Sequence, residues 1–306
     1  MTSTPAIVTH GLTRRFGNRT AVDALTIEVP QGQIFGFLGP NGAGKTTTIR
    51  MLLGLTPATA GEAWILGHHF RRQRAAICRR VGAIVETPTF HRDLNAIDNL
   101  RVLSWTSGLH KTQPQLEALL DRVGLAQRGN DLVAGYSLGM KQRLGIASTL
   151  VHDPDLLFLD EPTNGLDPAG TQEMRVLLRS LADEGTTIFL SSHLLHEVEA
   201  TCSRVLILHQ GKVRLEGDVA SLLRKKTCFY FKVQPVEQAK QHIIHANIKI
   251  NTSDDFGIEI SLDESDIPSL VRLLTTNGVA LYRIEERRHS LEELFMQWTT
   301  EAQEQA

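Results

Sequence analysis

The stretch that decides the fold is Gly39-Pro40-Asn41-Gly42-Ala43-Gly44-Lys45-Thr46-Thr47. The apolar run 33–38 before it predicts a short buried strand, and residues 47–53 predict the first turns of a helix. This spacing fits G-x-x-x-x-G-K-[ST] between a strand and a helix, which is the phosphate-binding P-loop. Glycines let backbone N–H groups approach phosphate oxygens, and the N-terminus of the following helix favours an anion. The stretch therefore predicts an α/β fold that binds a nucleotide, and a merely connecting glycine-rich turn is the weaker alternative.

Two carboxylates at the end of a later apolar strand complete the predicted site. We expect Lys45 to reach the β- and γ-phosphates and the Thr46 hydroxyl to bind Mg²⁺. Asp160 and Glu161 follow the apolar run 156–159, and such strand ends lie beside the ligand in doubly wound α/β folds. We expect Asp160 to hold Mg²⁺ through water and Glu161, which points the other way by strand alternation, to polarise the attacking water. An ordinary strand end with solvated acids is the alternative, and the P-loop upstream argues against it.

Two ring side chains are further candidates for contact with a nucleotide. Phe16 lies upstream of the P-loop and could stack on adenine, although by itself it could equally be a core residue of a turn. His193 follows the apolar strand 186–191 and could donate a hydrogen bond to the γ-phosphate. His196 lies three residues later, but without a third ligand in the sequence a metal pair is less favoured than phosphate sensing.

The composition limits the other classes of protein. A chain of 306 residues with 42% hydrophobic residues is long enough for two domains. A formal net charge of -2 gives no global basic field for nucleic acid. No apolar run approaches the ~18–20 residues that span a bilayer, and we expect no signal peptide. The three scattered cysteines form no disulfide framework, which favours a reducing cytosol.

The chain divides into two predicted domains. A nucleotide-binding domain over 1–225 contains a helical insert at about 87–150, in which Asn95 is a predicted helix N-cap and Thr112 opens a capping box with Gln115. Residues 225–227 are a predicted linker. Beyond it the pattern is β-α-β-β-α-β, the split βαβ order, followed by a last helix at 291–298. No catalytic cluster is found there, so we expect 226–306 to be a small α+β domain with a regulatory or interaction role.

The stretch Tyr136-Ser137-Leu138-Gly139-Met140-Lys141-Gln142-Arg143 resembles the signature motif of the ATP-binding subunits of ABC transporters. The remaining family motifs follow in order, with Phe16 as the adenine-stacking aromatic, 39–47 as Walker A, Glu86 at the Q-loop position, Asp160-Glu161 as Walker B, Asn164 to Asp167 as the D-loop and His193 as the switch histidine. The resemblance implies a P-loop NTPase with a RecA-like core, an antiparallel β subdomain and a helical subdomain.

The same resemblance implies that the ATPase works as a head-to-tail dimer, either a homodimer or a pseudo-dimer with a related subunit. Each ATP would lie between Walker A of one subunit and Ser137 and Gly139 of the other, and Asp167 would cross the interface. ATP and Mg²⁺ are the implied cofactors. We expect Glu86 to add a charge near Mg²⁺ and to couple hydrolysis to the membrane partner.

Two departures from the general family indicate a subgroup. The signature carries Leu138 and Met140 where the general family has glycine and glutamine, and Glu86 replaces the usual glutamine of the Q-loop. Both departures resemble the sequences of the subgroup that exports antibiotics, bacteriocins and other drugs, including the bacitracin and lantibiotic immunity pumps. This implies a cytoplasmic subunit, peripheral on the inner face of the cell membrane, that powers a separate polytopic permease.

Two other functions stay open at this point. A soluble ATPase of the same fold could act on nucleic acid or the ribosome, but the chain lacks the long coiled-coil insert of the DNA motors and the second motor domain of the ribosomal relatives. The sequence of residues 136–145, which resembles that of the exporter subgroup, argues against an importer subunit with a regulatory C-terminal domain. We therefore expect no nucleic-acid partner, and the cargo is not determined.

Overall fold

The computed structural model describes residues 4–223, 228–287 and 290–295. The chain forms two compact units, Met1–Gly217 and Asp218–Ala306. The strands that begin in the first unit are β1 Ile7–Phe16, β2 Arg19–Val29, β3 Ile34–Leu38, β4 Ala60–Ile65, β5 His68–His69, β6 Val81–Ile84, β7 Leu156–Asp160, β8 Thr187–Ser192, β9 Arg204–His209 and β10 Lys212–Asp218. Its helices are α1 Lys45–Leu52, α2 Arg74–Cys78, α3 Ala96–Thr106, α4 Gln113–Arg122, α5 Leu138–Thr149, α6 Pro168–Asp183 and α7 Leu195–Thr201.

A six-stranded sheet in the order β10-β9-β3-β8-β7-β6 forms the centre of the first unit. The pairs β3–β8, β3–β9, β7–β8 and β6–β7 are parallel. Every residue of β3, β7 and β8 is buried, which explains their nearly continuous apolar sequences, since parallel sheets are covered on both faces. Phe35, Phe37 and Phe158 pack around Phe189 with ring centroids 5.1–5.8 Å apart. The carboxyl ends of β3, β7 and β8 therefore meet at one edge of the sheet, where ligands bind in such folds.

An antiparallel sheet and a helical insert complete the first unit. The sheet has the order β2-β1-β4-β5, and the helices α3, α4 and α5 occupy the predicted insert. Asn95 caps α3 by accepting a hydrogen bond from the Asp98 amide (2.7 Å), and Thr112 and Gln115 form the expected capping box at α4. The predicted P-loop NTPase architecture is confirmed. None of the helices in the described ranges is both long and apolar enough to cross a membrane.

The second unit follows the predicted split βαβ order. After a short helix α8 (Val219–Leu223) it contains β11 Cys228–Gln234, α9 Val236–His245, β12 Ile250–Ser253, β13 Gly257–Ser261, α10 Ile267–Thr276 and β14 Ala280–Arg287. The four strands form an antiparallel sheet in the order β12-β13-β11-β14. Residues 291–295 are helical, as predicted. The predicted linker 225–227 and the predicted end of the last helix at 296–298 lie outside the described residues.

Candidate functional site

The P-loop at the end of β3 adopts a backbone that only glycine accommodates easily. Gly39, Gly42 and Gly44 have φ values of 156°, 80° and 114°. A Cβ added to Gly39 would lie 2.2 Å from the Leu208 carbonyl oxygen, and one added to Gly44 would lie 2.5 Å from the Ala21 carbonyl oxygen. The loop leads directly into α1 at Lys45. A phosphate group suits this place, because the glycines let the loop backbone approach it closely and the first turn of the helix offers N–H donors.

Lys45 is buried at the base of this loop and is held by oxygen atoms. The Lys45 side chain is only 5% exposed, and its Nζ donates to the Gly39 carbonyl at 2.6 Å and to the Pro40 carbonyl at 3.4 Å. The same Nζ lies 3.3 Å from Glu161 Oε1. The ammonium group is therefore positioned beside the loop and paired with the carboxylate that follows β7.

Thr46 and Asp160, although 114 positions apart in the chain, meet at the sheet edge. Thr46 Oγ1 donates to Asp160 Oδ2 at 2.8 Å. The other carboxylate oxygen, Oδ1, accepts a hydrogen bond from Ser191 Oγ on β8. Ser191 is a site residue that the sequence analysis did not identify. Its only signal in the sequence was a hydroxyl at the carboxyl end of β8, and the β7–β8 register sets Asp160 directly beside it.

The Glu161 carboxylate bridges Lys45 and His193. His193 Nδ1 lies 2.9 Å from Glu161 Oε2, while Oε1 faces Lys45. The prediction that strand alternation orients Glu161 is wrong, because β7 ends at Asp160 and Glu161 has a left-handed φ of 51°. The backbone turns at this residue and directs the carboxylate back toward the P-loop. A non-glycine residue with left-handed backbone angles costs about 1–2 kcal/mol, and backbone strain of this kind clusters at functional sites.

A cleft of about 400 Å³ lies in front of these groups. The P-loop, Glu161 and two residues of the β1–β2 hairpin, Phe16 and Arg19, are among the residues that line it. Phe16 is 49% exposed, so the alternative interpretation of Phe16 as a core residue is wrong. The Arg14 guanidinium carbon lies 4.3 Å from the centroid of the Phe16 ring, a cation–π contact. An aromatic ring thus lines the same cleft as the cationic side chains of Arg19 and Lys45 and the carboxylate of Glu161.

Nine of the predicted site residues are not among those that line this cleft. Five of them belong to the P-loop or contact the lining residues, namely Gly39, Pro40, Ala43, Asp160 and His193. The other four do neither. Glu86 is exposed, has a left-handed φ of 69°, and forms an ion pair with Arg50 of α1. Ser137 caps α5 by accepting from the Met140 amide at 3.2 Å. The other two residues, Gly139 and Asp167, lie in the first turn of α5 and at the N-cap of α6. Their predicted roles in binding ATP or Mg²⁺ stay predictions.

Comparison with known proteins identifies the family. A family model described as "ABC transporter" matches residues 22–164. The "Bacitracin transport ATP-binding protein BcrA" of Bacillus licheniformis is 44% identical over 295 residues, which cover 95% of this chain and 96% of the relative. The chain belongs to the ATP-binding subunits of ABC transporters.

Two further matches to this ABC subunit cover about two thirds to three quarters of it. The "Lantibiotic transport ATP-binding protein SrtF" of Streptococcus pyogenes is 40% identical over 209 residues, 68% of this chain and 89% of the relative. A solved structure titled "Structure of ATP binding subunit of ABC transporter" superposes with a TM-score of 0.63 at 28% identity, covering 72% of this chain and 92% of the other.

Membership of the family establishes the reaction of this ABC subunit. It binds ATP and couples ATP hydrolysis to transport. The family also implies a dimeric arrangement of the ATPase and a partner membrane permease. A soluble ATPase acting on nucleic acid or the ribosome is not favoured, since both named relatives are transport proteins.

Proposed function

We propose that this ABC subunit powers the export of an antibiotic or bacteriocin through a separate polytopic permease, from the inner face of the cell membrane. The similarity to subunits named for bacitracin and lantibiotic transport supports this class of cargo. The single structural observation that carries the ATPase role is the convergence of Lys45, Thr46, Asp160, Glu161 and His193 at one edge of the sheet.

The donor set at this edge fits Mg²⁺. Thr46 Oγ1 and Asp160 Oδ2 are hard oxygen ligands already within hydrogen-bond distance, and Mg²⁺ typically takes one or two protein oxygens plus phosphates and water. When bound, Mg²⁺ would neutralise phosphate charge. Ser191 holds the Asp160 carboxylate in place for that role. Glu86 remains a proposed additional ligand, and its carboxylate would have to exchange its contact with Arg50.

Each of the remaining side chains has its own role in binding or hydrolysing ATP. Phe16 offers the ring face opposite Arg14 to the adenine, and Lys45 offers its ammonium group to the β- and γ-phosphates. Glu161 accepts the proton of the attacking water as general base. His193 orients Glu161 through the 2.9 Å contact and can instead donate to the γ-phosphate.

A second subunit is proposed to complete each ATP site. Ser137 and Gly139 at the N-terminus of α5 and Asp167 at the N-terminus of α6 are outside the cleft lining of their own chain. The N-terminus of a twelve-residue helix carries partial positive charge and suits the γ-phosphate of the partner's nucleotide. We infer a homodimer, or a pseudo-dimer with a related subunit, closed by two ATP molecules.

We also propose that the second unit is an interaction or regulatory domain. It has its own core, in which Phe231, Ile243, Ile258 and Leu274 are buried. The 295-residue match to the bacitracin transport relative extends through this unit, since the whole chain has 306 residues. The unit is therefore shared with this relative, which supports a role that is common to the subgroup.

The cargo class is tested in the organism that carries the gene. Deleting the gene should increase susceptibility to bacitracin or to a lantibiotic, and wild-type protein should restore resistance whereas Glu161→Gln should not. Tagged protein purified from detergent-solubilised membranes should bring a polytopic membrane protein with it. Unchanged susceptibility to both classes would contradict the cargo, and co-purification with ribosomes or DNA would contradict the transporter role.

A further inference from the structure

The β1–β2 hairpin places a second cation beside Phe16. Phe16 and Arg19 are directly opposite each other in the antiparallel ladder, separated in the chain only by Gly17 and Asn18. Directly opposed residues project from the same face of a sheet, with Cβ atoms about 5 Å apart. Arg15 precedes Phe16 and therefore projects from the other face. The hairpin accordingly delivers one aromatic ring and one guanidinium to the same side.

The Arg19 guanidinium lies over the tip of the P-loop. A Cβ built on Gly42 would lie 3.6 Å from Arg19 Nη2, and Arg19 lines the same cleft as Lys45 and Phe16. The P-loop glycines and α1 aim backbone N–H groups into this cleft. Arg19 thus adds a guanidinium to a cleft that Lys45 and the P-loop already line.

Arg19 makes no ion pair with any residue of the described ranges. Arg14, in contrast, is anchored by a 2.9 Å hydrogen bond from Nη1 to the Pro57 carbonyl and by its contact with the Phe16 ring. An exposed guanidinium that no carboxylate neutralises gains most from a polyanion. Guanidinium geometry also matches phosphate oxygens in a bidentate manner.

We propose that Arg19 is a second cationic ligand of the phosphate chain of the nucleotide, in addition to Lys45. The proposal rests on ATP binding in this cleft. Arg19 contacts phosphate oxygens from the hairpin side, while Lys45 contacts them from the base of the P-loop. The hairpin would therefore recognise the base through Phe16 and the phosphates through Arg19.

The test compares nucleotide affinities of the full-length protein. Dissociation constants for ATP, ADP and adenosine are measured by competition against a fluorescent ADP derivative, for wild type, Arg19→Ala, Arg19→Lys and the matched control Arg15→Ala. Arg19→Ala should weaken ATP and ADP about 3- to 10-fold, the range of one charge-assisted contact at an open site. Adenosine affinity should not change, and Arg19→Lys should retain part of the ATP and ADP affinity. The ATP affinity of Arg19→Ala should also depend less steeply on salt.

Two results would overturn the proposal. One is Arg19→Ala binding ATP and ADP as tightly as Arg15→Ala does. The other is an equal loss of adenosine affinity, which would assign Arg19 to the base or to support of Phe16. Lys45→Ala distinguishes failure of the Arg19 proposal from failure of the proposed ATP site. If wild type binds nucleotide and Lys45→Ala does not, ATP binds at the P-loop, and the Arg19 variants then test the role of Arg19 alone.

Discussion

Replacing Ser191 with alanine should destabilise the ATPase unit through the Asp160 carboxylate. Ser191 is 0% exposed, and its hydroxyl donates to Asp160 Oδ1, whose residue is only 7% exposed. The substitution leaves that oxygen without this donor, while Thr46 still donates to Oδ2. The Glu161 amide loses its 3.2 Å contact to Ser191 Oγ but keeps the 3.1 Å bond to the Ser191 carbonyl, so no backbone donor is left unpaired.

The expected loss can be calculated from this arrangement. A hydrogen bond to a buried charged acceptor contributes about 1.5–3 kcal/mol. For a unit of this size, 1 kcal/mol corresponds to about 2–4 °C in melting temperature, so the Ser191→Ala protein should melt about 3–12 °C below wild type. The Asp160 carboxylate should also be less well oriented, so that half-maximal ATPase activity requires more Mg²⁺.

The assay is thermal unfolding followed by circular dichroism, together with a magnesium titration of ATPase activity. Ser192→Ala is the matched control, because Ser192 is 3% exposed but its hydroxyl accepts a hydrogen bond from the Leu194 amide, at 3.0 Å, instead of contacting a carboxylate in the part of the chain that the structure describes. The control should lose about 1 kcal/mol and keep the wild-type Mg²⁺ requirement. In an Asp160→Asn background, Ser191→Ala should cost at least about 1 kcal/mol less than in wild type. Equal losses in both backgrounds would refute the reasoning.

Three further predictions follow from the site and from burial. Glu161→Gln should bind ATP but lower turnover by about 10²–10⁴-fold and accumulate an ATP-dependent dimer in light scattering, since binding groups remain and the general base is lost; normal turnover would exclude the assignment. Glu86→Gln should change stability by less than about 1 kcal/mol, because its ion pair is exposed, yet reduce permease-stimulated ATPase activity; unchanged stimulation would remove the coupling role. Native protein should show one fast-reacting thiol by mass spectrometry, Cys78, because Cys202 and Cys228 are buried and burial raises the pKa of the Cys202 thiol; two fast thiols would contradict the fold.

Much of the site is readable from local patterns. The P-loop, the acids after β7 and the histidine after β8 each lie within a few residues of an apolar strand, and parallel strands end at one edge of a sheet. Contiguous residues carry these signals, so spacing was enough to predict that Lys45, Asp160 and His193 belong to one site. The split βαβ order of the second unit was predictable for the same reason, because each strand and helix has its own hydrophobic period.

Local sequence patterns did not predict the contacts between segments that are far apart in the chain. The partner of Asp160 is Ser191 because the β7–β8 register sets these two residues side by side, and register depends on packing of the whole sheet. The orientation of Glu161 depends on one backbone turn with φ of 51°, which strand alternation cannot anticipate. The contact of Glu86 with Arg50 likewise joins residues 36 positions apart.

The amino-acid sequence alone thus determined the kind of fold, the P-loop and the chemical identity of the acids and histidine around it, because each is encoded by neighbouring residues. Only the tertiary structure decided which side chains hold those groups, where the Glu161 carboxylate points, and that Arg19 lies over the P-loop. The physical reason is that these contacts are set by strand register and by the packing of segments far apart in the chain.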